Sequence, residues 1–182
     1  MRLKKFVFKN VNSTNDLAIK IIMNSNNKSG MVIADKQKKG RGRYGKKWTS
    51  YKGNLFVTIF FNFDKINVSL KKMTYLNCSL IKKLLSFYYK KKISIKAPND
   101  LLINKKKISG ILQEMIKKDN NNYMIVGVGI NLIKNPKIRN YPTTNLLKVS
   151  KKNINKKEII LKLKKIYEKF IPKFNLYKPN KI

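Results

Sequence analysis

NLFVTIFFNF, residues 54–63, places Leu55, Val57, Ile59, Phe61 and Phe63 on one side of an extended chain. That is the period-two pattern of a strand. Working outward, residues 31–35 (MVIAD) read as a buried strand and 3–8 (LKKFVF) as a short one. Between them, Ser13 has the look of a helix N-cap, with Asp16 three residues on and Leu17, Ala18, Ile21 and Ile22 in one stripe. Residues 36–50 are polar and Gly-rich, hence a loop. On the other side, 69–90 carry helical spacing at Leu70, Met73, Leu76, Leu80, Leu84 and Tyr88. Strands are expected at 93–96, 101–104, 107–116 and 122–132. A final helix is expected at about 156–171, capped by Asn155, with Glu158 at the capping-box position and Pro172 ending it. This order predicts an α+β fold, a mixed β-sheet packed against helices. It lacks the strand–helix alternation of a dinucleotide fold, and GVGI at 127–130 lacks the third glycine and the helix of a nucleotide motif.

The chain has 182 residues, which suits a single domain over 1–182. Its 42% apolar content argues against disorder. No apolar run approaches the roughly 18 residues of a membrane span, so no membrane partner is expected. No signal-peptide pattern is visible, and a cytoplasmic, reducing setting is the expectation. With no histidine and only Cys78, His/Cys zinc sites and Ser-His or Cys-His pairs are excluded. The net charge of +35 suggests nucleic acid. However, 39 Lys, 23 Asn and 23 Ile against 3 Ala and 4 Arg is the signature of AT-rich codons, and the Lys doublets spread over every segment. Compositional drift accounts for the charge better than a dedicated nucleic-acid face, which would be clustered and Arg-rich.

Against that background, rare residues mark positions where Lys or Asn fails. Two of the four Arg, three of the eight Gly and the only Trp fall in GRGRYGKKW, residues 40–48. Glycines let a backbone approach a ligand, and guanidinium groups suit phosphate or carboxylate. By itself this segment also fits an RGG-like patch. In APNDLLINKKKISGILQE (97–114), a turn near 104–106 would bring Asp100 and Lys107 together. Alone, that pair also fits a surface ion pair worth about 0–1 kcal/mol. Gly110 suggests tight packing against its strand.

NSTND (12–16), GRGRYGKKW with SYKGNLFVT (50–58), APND (97–100), KISGILQE (107–114) and VGVGINL (126–132) stand in the order seen in biotin protein ligases. The chain resembles the catalytic domain of that family, whose fold is class II aminoacyl-tRNA synthetase-like. The resemblance implies that biotin and ATP react to biotinyl-5′-AMP, with Mg²⁺ as the ATP counterion. The biotinyl group then passes to a lysine of a biotin carboxyl carrier protein, such as the acetyl-CoA carboxylase subunit. It implies that Ser13, Thr14, Asn15 and Gln37 meet the biotin head. Gly40, Arg41, Gly42 and Arg43 would fold over the adenylate, with Arg43 retaining it. Trp48 would pack near the biotin tail or the adenine, Asn99 and Asn131 would lie near the nucleotide, and Gly127 and Gly129 would let the backbone lie against biotin. Lys107 would bridge carboxylate and α-phosphate, and Asp100 would act near the acceptor lysine as base or orienter. No protein-held metal is implied, and the family leaves a homodimer open.

The chain departs from the family pattern in two respects. The usual Lys-Trp-Pro-Asn-Asp reads Lys96-Ala97-Pro98-Asn99-Asp100. Neither an N-terminal DNA-binding domain nor a C-terminal SH3-like barrel is expected within 1–182, and so no specific DNA partner. Three other readings stay open: a basic nucleic-acid binder, a lipoate–protein ligase relative, and a remnant that binds biotin without turnover.

Overall fold

The computed structural model describes residues 1–63 and 69–175. Strand β1 (Lys4–Val11) leads to helix α1 (Thr14–Met23), strand β2 (Ser29–Gln37) and strand β3 (Leu55–Phe63). Helix α2 (Leu70–Ser86) precedes strands β4 (Ile93–Lys96), β5 (Asp100–Ile103), β6 (Lys106–Lys118) and β7 (Asn121–Ile130). Helices α3 (Leu146–Ser150) and α4 (Lys156–Asn175) follow. All seven strands form one sheet in the order β1-β2-β3-β7-β6-β5-β4. The β1–β2 pair is parallel and the other pairs are antiparallel, so the sheet is mixed, as expected.

The sheet separates two apolar clusters. The odd-numbered residues of β3 (Leu55, Val57, Ile59, Phe61, Phe63) join α2 and α4 in the main core through Met73, Ile81, Leu84, Leu163 and Tyr167. On the opposite face, α1 sets Ala18 and Ile22 against Val32, Phe60 and Ile125. α1 covers only part of that face. Gly127 faces Asn15 at the start of α1, while Gly110 and Gly129 lie beyond the helix under Trp48, and there the candidate site forms.

Several expected boundaries shift. Helix α2 stops at Ser86, and Leu70 is exposed while Cys78, Ile81 and Leu85 join Met73 and Leu84 inside. The tertiary contacts thus rotate the buried stripe away from the one the spacing suggested. Helix α4 runs through Pro172, which sits in its last turn, where the lost amide bond weakens few neighbours. Asn155 caps that helix through the amides of Lys157 and Glu158. Glu158 does not reach back to close a capping box; it pairs with Lys162 at 2.5 Å and accepts from Tyr88. Helix α3, capped by Asn145, was not anticipated. Among the described residues, no helix is long and apolar enough to cross a membrane.

Candidate active site

Asn104 and Lys105 both take positive φ, the geometry of a two-residue hairpin turn between β5 and β6. This returns the chain so that Lys107 Nζ lies 2.8 Å from Asp100 Oδ1. Both side chains are mostly enclosed, at 19% and 15% exposed. Oδ1 has no aligned hydrogen bond, so the contact is a charge pairing. The other oxygen, Oδ2, accepts from Tyr141 Oη at 2.5 Å. Lys107 Nζ also stands 5.3 Å from the Trp48 ring centroid and 5.4 Å from that of Tyr141. Lys96 Nζ covers Tyr141 at 4.5 Å. Burial, and then the hydrogen bond to Asp100, raise the Tyr141 pKa, which keeps the hydroxyl a donor.

These groups form one wall of a cavity of about 640 Å³. That size is ordinary for a small-molecule site, about 300–1,000 Å³. The floor is β6 and β7, where Gly110 pairs with Gly129. A Cβ on Gly129 would lie 2.4 Å from the Trp48 ring, and one on Gly127 would lie 2.3 Å from Asn15 Oδ1. Their open faces receive the indole and a carboxamide. Asn15 is buried and fixed by both ends of its amide. Its Oδ1 accepts from Thr58 at 2.6 Å, and its Nδ2 donates to Glu114 at 2.6 Å and to Leu112 O at 3.2 Å. Gln37 Oε1 accepts from the Thr14 amide and hydroxyl, and Ser13 caps α1 through the Asp16 amide. Asn99 Nδ2 donates to Ile111 O, holding the start of β5 beside β6.

Residues 40–48 close over the cavity as a small hairpin, not an open loop. Arg41 bridges to Lys47, the Gly42 amide bonds Lys46 O, and the Trp48 amide bonds Gly40 O. Arg41 Nη2 reaches Asp16 at 2.6 Å and Glu114 at 3.0 Å. Burial disfavours its charge, but hydrogen bonds to Glu114 and Asp16 more than offset this and raise its pKa. Arg43 lines the cavity and donates to Tyr44 Oη at 2.7 Å.

The structure therefore brings Ser13, Thr14, Asn15, Gln37, Arg41, Gly42, Arg43, Trp48, Asn99, Asp100, Lys107, Gly127 and Gly129 to one cavity. It does not bring Gly40 or Asn131 into the wall. Gly40 is buried behind the hairpin, against Trp48 O and Gln37. Asn131 is buried beneath the floor, with its Nδ2 donating to Thr144 O and its Oδ1 unpartnered. Ile138, Arg139 and Tyr141, from the segment after β7, also line the cavity and were not foreseen. Nor were the roles of Asp16 and Glu114. A usable signal existed, because acidic residues number only eight in the chain, and three of them (Asp16, Asp100, Glu114) gather around this site.

A family model described as "Biotin/lipoate A/B protein ligase family" matches residues 7–131. The "Bifunctional ligase/repressor BirA" of Bacillus spizizenii is 30% identical over 167 residues, 87% of this chain and 51% of that protein. Its counterpart in Bacillus subtilis is 33% identical over 128 residues, 69% of this chain and 39% of that protein. The chain thus spans about half the length, or less, of these relatives. Among solved structures, the biotin protein ligase of Aquifex aeolicus in complex with biotin and ATP superposes with a TM-score of 0.79 at 28% identity, covering 96% of this chain and 73% of that one. The Leishmania major biotin protein ligase with biotinyl-5-AMP gives 0.74 at 21% identity, covering 98% and 83%, a likeness of fold.

Proposed function

We propose that this chain, which belongs to the Biotin/lipoate A/B protein ligase family, activates biotin with ATP and transfers the biotinyl group to a lysine of a biotin carboxyl carrier domain. In the first step a biotin carboxylate oxygen attacks the α-phosphorus. The new O–P bond forms, the bond to the β-phosphate oxygen breaks, and pyrophosphate leaves. Two anions must approach each other, so fixed cations dominate the barrier. Lys107 is held on the cavity wall by Asp100 and two aromatic faces, while Arg41 and Arg43 come from the hairpin. In the second step the acceptor amine attacks the acyl carbon and AMP leaves. Asp100, which accepts a hydrogen bond from Tyr141, would take or direct the amine's proton.

Biotin's ureido ring needs donors and acceptors together, which the Ser13–Asn15 segment and Gln37 supply. Among the described residues no cluster of three or more His, Cys, Asp or Glu is placed to hold a metal. Mg²⁺ would enter as the counterion of ATP. The observation that carries this reading is the convergence of Lys107 and the Arg41–Arg43 hairpin on one cavity with a glycine floor.

The test is a reaction of the purified chain with biotin, ATP, Mg²⁺ and a biotin carboxyl carrier domain, followed by mass spectrometry. The expected result is ATP-dependent biotinylation of one carrier lysine, undiminished by competing lipoate. Absence of biotinylation, or preferential lipoylation of a lipoyl domain, would overturn the assignment.

A further inference from the structure

Glu114 has two partners on its Oε2, from two different elements. Asn15 Nδ2, at the start of α1, donates to it at 2.6 Å, and Arg41 Nη2, from the hairpin, donates at 3.0 Å. Asn15 is otherwise fixed by Thr58 and Leu112, with its carboxamide lying over Gly127 on the floor. Arg41 is the side chain among residues 41–47 that hydrogen-bonds to other elements of the described structure. Arg43 bonds only within the hairpin, to Tyr44.

We propose that Glu114 is a positioning residue that fastens the hairpin at 40–48 to the floor of the cavity, so that one carboxylate sets both the cover and the Asn15 amide. This rests on reading the cavity as the biotin site. Asp16 is the secondary anchor. Its side chain is 49% exposed against 26% for Glu114, so water screens it more. Glu114→Gln separates the two jobs. A glutamine oxygen still accepts from Asn15, but the charge that holds Arg41 is gone. Glu114→Ala removes both.

The chain contains four arginines, at positions 2, 41, 43 and 139, so an Arg-specific endoprotease reads the hairpin directly. Cleavage of a folded segment follows the population of its open form. In the ligand-free full chain, Glu114→Gln should raise nicking after Arg41 and Arg43 about tenfold, the effect of losing one charge-assisted hydrogen bond. Cleavage after Arg139, in an exposed turn outside the hairpin, should stay unchanged, and the urea midpoint of the variant is the control for global stability. In the biotin-dependent reaction the same variant should raise the biotin KM about tenfold and change kcat little, and Glu114→Ala should raise KM further. Wild-type nicking of the hairpin in Glu114→Gln, or equal acceleration at Arg139, would overturn the proposal. Faster hairpin nicking with no biotin-dependent chemistry in either protein would leave the fastening in place and refute the biotin reading instead.

Discussion

The hydroxyl of Tyr141 lies 2.5 Å from Oδ2 of Asp100. It thereby ties the segment after β7 to the β5–β6 hairpin that carries Lys107. Asp100 is then engaged on both oxygens, by a phenol and by an ammonium. A hydrogen bond to a charged group contributes about 1.5–3 kcal/mol. Tyr141→Phe is expected to lower kcat of biotin transfer about tenfold and leave the biotin KM nearly unchanged. Steady-state kinetics check this; wild-type kcat would show that the hydroxyl does not orient Asp100.

Trp48 is the only tryptophan, so its fluorescence reports the site without interference. Its Nε1 is buried without a partner, and its ring rests on Gly129. A methyl at Gly129 would have to push the indole away, an overpacking cost of about 1–3 kcal/mol. Gly129→Ala should shift Trp48 emission and weaken biotin binding about tenfold or more. An unchanged spectrum with unchanged affinity would show that the ring does not sit there in solution.

Much of this arrangement was legible in the sequence, for identifiable reasons. The apolar runs of β3 and β7 are legible as strands, and they are near-continuous because both faces of the central sheet are buried there. The concentration of scarce Arg, Gly and Trp at 40–48 pointed to the cover of the site. What escaped was set by contacts far apart in the chain. Tyr141 finds Asp100 across 41 residues, and Arg41 finds Glu114 across 73. No local period encodes either. Asn131 lies outside the cavity wall because its side chain turns inward to Thr144, a contact that its place among motif residues does not encode. Helix α3 is five residues long, too short for a periodic stripe.

Asn54 shows how the floor is held. It is fully buried, and its Oδ1 accepts from the amides of Leu132, Ile133 and Lys134, while Nδ2 donates to Lys134 O. Asn54→Ala would strand several backbone groups at once and should destabilise the fold by about 3 kcal/mol. Urea unfolding measures this; a loss below about 1 kcal/mol would mean that water replaces the amide.

Stability should decline at alkaline pH. Burial, with the Asp100 charge second, pushes the Cys78 thiol from 9.0 up to about 12, and burial also raises Tyr167. Above pH 9 the unfolded chain releases the thiol proton while the folded chain keeps it. The folded state then binds more protons, so stability falls as pH rises from about 9 toward 12. Between pH 8 and pH 10 the Cys78 contribution is about 1 kcal/mol. Urea unfolding at the two pH values should show the fall, and Cys78→Ala should flatten it.

The most direct measurement of the central claim uses ATP labelled at the α-phosphate, mixed with biotin, Mg²⁺ and the purified chain without any carrier. The account predicts a labelled biotinyl-adenylate that requires biotin, formed about 10²–10³-fold more slowly by Lys107→Ala. No biotin-dependent labelled product, or a Lys107→Ala protein as fast as wild type, would contradict it.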